Sequence, residues 1–215
     1  MSAIKPERYG IANDLYVLPT PGGAYFAVSS TEDSQVRRLL LALLKHQSSP
    51  KVDAESVCNW LKTDDEQAAL EVLYRAQTLG WVQGYDERHD VSEDGVGKEL
   101  DSLLPHLSSA GQAMIVDWNG LTLASTGLIA STADTLAALA ADLIGVQERH
   151  AGRLAEYLGE TSHGWAAVDA YGSSRIGAWP LYIGDKRILL VILGEPLFNH
   201  SRFLALIWLL INHYG

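Results

Sequence analysis

Cysteine is almost missing from this chain: Cys58 stands alone among 215 residues. No intrachain disulfide can form, and a metal site would need ligands other than paired thiolates. Long apolar runs are missing too. The longest is Phe203 to Ile211, well short of the about 20 residues that span a bilayer. The segment Met1 to Glu7 has no apolar stretch that would read as a signal peptide. These absences lead us to expect a cytoplasmic protein without a membrane span. Positive charge is scarce: 16 Lys and Arg face 26 Asp and Glu, a net charge of −10. That balance opposes phosphate backbones and anionic membranes at long range. Both sides of Asp94 share it, with nine basic and fifteen acidic residues up to Asp94 and seven and eleven after it.

Catalytic signatures are lacking as well. Gly172-Ser173-Ser174-Arg175-Ile176-Gly177 has the glycine spacing of a phosphate loop. Ala178-Trp179 follows instead of Lys-Ser or Lys-Thr, and the segment falls between strand-like runs, so it reads as a turn. There is no Gly-x-Ser-x-Gly elbow. The seven histidines, His46, His89, His106, His150, His163, His200 and His213, include no pair three to five apart that could share a metal on one helix. Cys58 beside Trp60 reads as a small buried hydrophobe. We therefore expect no enzyme, no cofactor and no metal.

What is present is a strong pattern of secondary structure on either side of an acidic, apolar-poor stretch. Residues 87–97 read as a linker between regions 1–86 and 98–215. In the first region, Leu15 to Leu18 and Tyr25 to Val28 flank Pro19-Thr20-Pro21-Gly22-Gly23, which suggests a hairpin. Thr31-Glu32-Asp33-Ser34 opens a helix with Val36, Leu39, Leu40, Leu43 and Leu44 inward. Asp53 caps a second helix, and Thr63-Asp64-Asp65-Glu66 opens a third that Gly80 can end. Trp81 to Tyr85 reads as a strand. Three helices and a strand, over about Val36 to Asp86, resemble a winged-helix domain.

The second region starts with a helix from Lys98, which Pro105 should kink or shorten. Ala113 to Trp118 and Leu121 to Ser125 are strands around Asn119-Gly120, a tight hairpin turn. A long helix runs from Ser131 or Thr132 to Leu158. Strands at Trp165 to Tyr171, Ile176 to Ile183 and Arg187 to Leu193 follow, then a helix from His200 to His213.

This order resembles the roadblock/dynein-light-chain family. The resemblance rests on Ile115-Val116-Asp117-x-Asn119-Gly120-Leu121-x-Leu123-Ala124-Ser125 as first hairpin, on the alanine-rich Leu136 to Ala141 and on the strand Ile188 to Leu193. It implies an α+β fold, a five-stranded antiparallel sheet flanked by helices. It also implies homodimers or heterodimers that pair the long helix and the edge strand beside it. Family members of bacterial and archaeal type adapt or regulate small Ras-like GTPases. The N-terminal extension departs from the simplest family pattern.

Two apolar stripes run along the long helix. Leu136, Leu139, Leu143, Val146, His150 and Tyr157 form one; Ala133, Ala137, Ala140, Ile144, Ala151, Leu154 and Leu158 form the other. One stripe covers the sheet and the other needs a partner. Because small residues allow close helix approach, the expected dimer interface is Ala133, Ala137, Ala140, Ile144 and Ala151, with Trp165 and Ala167 on the next strand. The closing helix is apolar all round and should be buried, with Trp208 a candidate anchor for a partner. Arg37 and Arg38, with Lys45, form the one basic cluster and are further partner-binding candidates. Nucleic acid is a disfavoured partner, because the candidate recognition helix carries Asp64, Asp65, Glu66 and Glu71 against Arg75. The expected role is a non-enzymatic homodimeric regulatory adaptor for a small GTPase or another signalling protein. The competing role is a DNA-binding regulator dimerised by its C-terminal region.

Overall fold

A computed structural model describes residues 8–11, 14–92, 94–159 and 164–215, except the side chain of Leu158. Expectations for Met1 to Glu7, Glu93 and His163 lie outside these residues. The fold is α+β. Strand β1 (Tyr16–Pro19) leads into helix α1 (Pro21–Val28), followed by α2 (Gln35–Leu44), α3 (Ala54–Leu61), α4 (Glu66–Thr78) and strand β2 (Val82–Tyr85). Helix α5 (Val96–Leu103) continues as a 3-10 turn, Leu104–Leu107, where Pro105 stops the α-helical ladder. Then come β3 (Gln112–Asp117), β4 (Thr122–Thr126), the long α6 (Ala130–Leu158), β5 (Trp165–Val168), β6 (Ser174–Ile183), β7 (Lys186–Leu193) and α7 (Ser201–Tyr214).

The second half builds one five-stranded sheet in the order β4-β3-β7-β6-β5, with every neighbouring pair antiparallel. Strand alternation divides its side chains between two cores. Met114, Val116, Leu189 and Val191 point toward α6. Ala113, Ile115, Leu190 and Ile192 point the other way, toward α5, the 3-10 turn and α7. The element order is the one the roadblock resemblance implies. The hairpin differs in detail. Asp117 donates its backbone N–H to the Leu121 carbonyl at 2.9 Å, so the loop has three residues, not two. Only Gly120 has positive φ, at 83°. The Asp117 carboxylate accepts from the backbone N–H of Asn119 (2.9 Å) and of Leu121 (2.7 Å), fixing the loop. A Cβ on Gly120 would lie 3.1 Å from the Ala138 Cα, so the glycine also lets the turn rest on α6.

The first half corrects one expectation outright. Tyr25 to Val28 is not a strand; it is the end of α1. Pro21 stands in the first turn, where its missing N–H costs nothing, and the Thr20 hydroxyl accepts from the Gly23 N–H at 3.2 Å. Pro19-Thr20-Pro21-Gly22-Gly23 has the composition of a turn, yet Thr20-Pro21 here starts a helix. Gly23 is there for space: a Cβ would sit 2.0 Å from the Trp81 carbonyl oxygen. The caps expected for α2, α3 and α4 form as Ser34 to Arg37 N–H (3.2 Å), Asp53 to Ser56 N–H (2.7 Å) and Asp65 to Ala68 N–H (3.0 Å). The three expected helices and the strand after them occur in order. β2 pairs back with β1, and β1 also bridges Lys51. The chain after β2 forms no return strand; it runs beside residues 47–49, with Val91 N–H bonded to Gln47 O and Ser49 N–H to His89 O.

Helix α7 explains its own composition. One side faces the sheet and the other meets α1 and α2. The Asn212 amide donates to the Leu44 carbonyl at the end of α2 at 2.8 Å, and the Trp208 indole N–H to the His46 carbonyl, two residues past the helix, at 2.7 Å. The apolar core therefore runs without a break from the N-terminal helices to the sheet. Gly23→Ala should destabilise the protein by about 3 kcal/mol, because a backbone carbonyl cannot yield as a side chain does. Chemical denaturation checks this; a change below about 0.5 kcal/mol would contradict the close packing of α1 on Trp81.

Candidate functional site: the outer face of the long helix and its edge strand

Helix α6 has 29 residues, about 43 Å at 1.5 Å per residue. Its stripe of small residues seats it on the sheet. Ala133, Ala137, Ala140 and Ile144 are at most 3% exposed and pack on Met114, Val116, Ala178, Leu189 and Val191. This reverses the expected interface. Those four residues already cover their own sheet, so a second molecule cannot reach them. Alanines bring the helix axis close to the strands, and the bulkier stripe is turned outward.

That outer stripe is Leu136, Leu139, Leu143 and Val146. Leu139 is 45% exposed and Val146 43%, while Leu136 and Leu143 are half-buried. The spacing alternates three and four residues and continues through His150, Arg153 and Tyr157, all exposed. An alternating three-four spacing is the seam of two paired helices. At about 100° per residue the outer stripe lies on one flank of the sheet-facing stripe. Ala138, against the Gly120 turn, and Glu148 lie on the other. The outer stripe therefore faces away from the β3–β4 hairpin, toward the β5 side.

Strand β5 is an edge strand with one neighbour, β6. Trp165 and Ala167 pair with Ala178 and Ile176, so they point to the α6 side of the sheet, and both are half-buried. Val168, on the opposite face of the strand, is 61% exposed. Ala151 is exposed, on the part of α6 where almost every side chain faces solvent. Of the expected interface residues, then, Ala151, Trp165 and Ala167 remain reachable. The expectation that the stripe of Leu136, Leu139, Leu143 and Val146 covers the sheet is corrected: the alanine stripe does so instead.

An arginine clamp fixes how far α6 can roll. The Arg187 guanidinium lies 3.3 Å from the Trp118 ring centroid and pairs with the Glu148 carboxylate on α6. Tyr182 flanks it at 5.6 Å. Desolvation raises the Tyr182 phenol pKa above its ordinary value, so the ring acts there as a neutral wall. Cation–π contact plus an ion pair, both part-shielded, holds the helix where the outer stripe stays outward.

The other candidates are structural. Arg37 is 7% exposed; its guanidinium donates to the carbonyls of Phe26 and Glu32 and stacks 4.8 Å from the Phe26 ring centroid. It ties the end of α1 to α2 and cannot meet a partner. Arg38 is exposed but makes a bidentate pair with Asp33, at 2.8 Å for each bond. That hydrogen bond holds the Asp33 carboxyl below its ordinary range. Trp208 is 5% exposed and committed to His46, so it anchors an internal contact. The Cys58 thiol is pushed up, first by desolvation and then by the carboxylates of Glu66, Asp64 and Asp65. It stays protonated and is a poor nucleophile. Among the described residues no group of three His, Cys, Asp or Glu is placed to hold a metal, and no helix is long and apolar enough to cross a membrane.

No protein-family model and no curated protein matches the chain. Solved structures do. A Roadblock/LC7 domain from Streptomyces avermitilis is 18% identical, with a TM-score of 0.38, over 53% of this chain and 90% of that one. Myxococcus xanthus MglB is 20% identical, with a TM-score of 0.38, over 57% and 98%. The gliding protein MglB from Thermus thermophilus is 20% identical, with a TM-score of 0.37, over 55% and 93%. Likenesses of this size assign no family.

The two stripes predict opposite responses to the same substitution. Ala137→Glu should lower the stability of the chain by roughly 4 kcal/mol, because it buries an unpaired carboxylate between helix and sheet. Leu139→Glu should change it by about 0.5 kcal/mol or less when the chain is monomeric. Thermal melts at the lowest workable concentration compare them; equal melting temperatures would mean the helix is rolled otherwise.

Proposed function

We propose that this protein is a non-enzymatic, roadblock-like dimeric adaptor that docks a small Ras-like GTPase or another signalling protein. One observation carries the dimer: a helix seam of four aliphatic side chains, two exposed and two half-buried, lies on the side of an unpaired edge strand. Leucines at that spacing on a solvent-facing helix need a second surface. An edge strand beside them offers unpaired backbone groups of the kind sheets extend through. A second copy supplies both at once. By two-fold symmetry its stripe meets this stripe and its edge meets this edge. Helix crossing brings Asp142 and Arg149, on the same border of the seam, within reach of the opposite signs on the partner copy.

The regulatory role rests on the roadblock resemblance and on the order of elements around the sheet. The reading is adaptor, not enzyme, because the exposed chemistry is apolar contact surface and the positioned polar groups are used in caps and clamps. The N-terminal helices, docked on α7, add an acidic surface at Asp64, Asp65 and Glu66 that favours a basic protein surface over nucleic acid.

Light scattering at micromolar concentration should give twice the 23.4 kDa chain mass. Leu139→Glu and Leu143→Glu should each return the single mass with unchanged helix content; a single mass for the unaltered protein would remove the dimer. For the partner, purified protein would be mixed with a small GTPase from its native host, loaded with GTP analogue or GDP. Binding that depends on the bound nucleotide is expected, and equal absence of binding in both states to every small GTPase of that host would contradict the GTPase reading.

A further inference from the structure

A cavity of about 340 Å³ lies away from α6, between α4, the β1–β2 pair and the segment Arg8–Ile11 that crosses over them. Its aliphatic walls come from Leu15, Val17, Leu70, Leu73 and Val82. Val17, Leu70 and Val82 are core residues, so the cavity opens directly onto the N-terminal core. Gly84 lines it without a side chain. A volume above about 300 Å³ with aliphatic walls and few polar groups is the ordinary form of a small-molecule pocket.

The crossing segment is a strap. The Tyr9 N–H donates to the Gln67 side-chain carbonyl at 3.0 Å, the Gln67 amide returns a long bond of 3.5 Å to the Tyr9 carbonyl, and both are exposed. The Tyr9 and Tyr74 rings meet at 5.2 Å between centroids, tilted 48°. Two exposed hydrogen bonds and one ring contact hold it over the cavity. The exposed lining residues are Arg8, Gly10, Tyr74, Gln77 and Gly84, which mark the mouth, and Arg8 is the one charged group among the lining residues.

We infer that this pocket binds a free amphiphile: one medium-length aliphatic chain in the cavity, one carboxylate at Arg8. Apolar walls select the chain and exclude nucleotides and sugars, whose polar groups would lose their water without finding partners. The chain carries a net charge of −10, which repels free anions at long range, so contact with the walls supplies the affinity and Arg8 supplies the choice of head group. The site is separate from the α6 seam and does not depend on the dimer.

Calorimetric titration of the full chain with octanoate should give saturable binding of one molecule per chain. Octanol should bind about tenfold more weakly, and Arg8→Gln should bring octanoate down to the octanol level while leaving octanol unchanged. Gln77→Trp, a surface change that closes the mouth without touching the core, should weaken both about tenfold or more. Leu139→Glu should leave octanoate binding as it is, and octanoate should leave the mass by light scattering as it is. Absence of saturable binding, equal affinity for octanol and octanoate, or binding lost in Leu139→Glu but kept in Gln77→Trp would overturn the site. Co-sedimentation with phosphatidylglycerol vesicles would place a membrane acyl chain in the pocket and overturn the free ligand.

Discussion

Four small or slim side chains decide how this molecule presents itself. Ala133, Ala137, Ala140 and Ile144 lie flat on the sheet and bring α6 down onto it. With the small stripe inward, Leu136, Leu139, Leu143 and Val146 have to lie on the flank. The Gly120 turn and the Arg187–Trp118–Glu148 clamp then hold the opposite flank. The helix cannot roll to bury its leucines without breaking that clamp and losing the alanine contact. An exposed apolar seam is thus a consequence of how the sheet is covered.

The other face of the sheet shows the reverse economy of surface. Helix α7 is apolar all round because it is covered all round, by the sheet and by α1 and α2. The last residue of α2, Leu44, and His46 just past the helix give their carbonyls to α7 donors. Aromatic rings extend the joint: Tyr25 of α1 stacks on Phe198, and Phe198 meets Trp179 of β6 edge-on. The N-terminal helices are therefore fastened to the half that carries the five-stranded sheet by buried contact. Among the described residues, α6 and the edge strand β5 present exposed apolar side chains, Leu139, Val146 and Val168 among them.

Most of the fold could be read from local pattern. Apolar period placed α2 to α7, with caps at α2, α3 and α4, apolar runs placed β3 and β7, and Asn119-Gly120 placed the hairpin; the five-stranded sheet itself was implied only by the resemblance. Four features escaped for physical reasons. Helix α1 starts with Thr20-Pro21 but carries Gly22 and Gly23, residues that weaken a helix in isolation; it forms because Gly23 alone fits under the Trp81 carbonyl. Which stripe of α6 meets the sheet could not be read, since both are apolar and only the distance between helix and strands separates them. Arg37, Arg38 and Trp208 looked like surface anchors because their types are common at interfaces. Their partners, Phe26, Asp33 and His46, are fixed by packing that no spacing announces. The clamp at Arg187 was missed altogether. A basic residue at a strand start has no sequence signal that names Trp118 and Glu148 as its partners.

The outward seam is the central claim, and a cross-link tests it most directly. With Cys58→Ser removing the one native thiol, Leu143→Cys would be compared with Asp134→Cys, which is exposed on the opposite flank of α6. Mild oxidation should convert the Leu143→Cys protein to a disulfide-linked dimer and leave the Asp134→Cys protein as single chains. Cross-linking at Asp134→Cys with none at Leu143→Cys would contradict the account, because it would put the contact on the flank that the hairpin turn and the arginine clamp occupy.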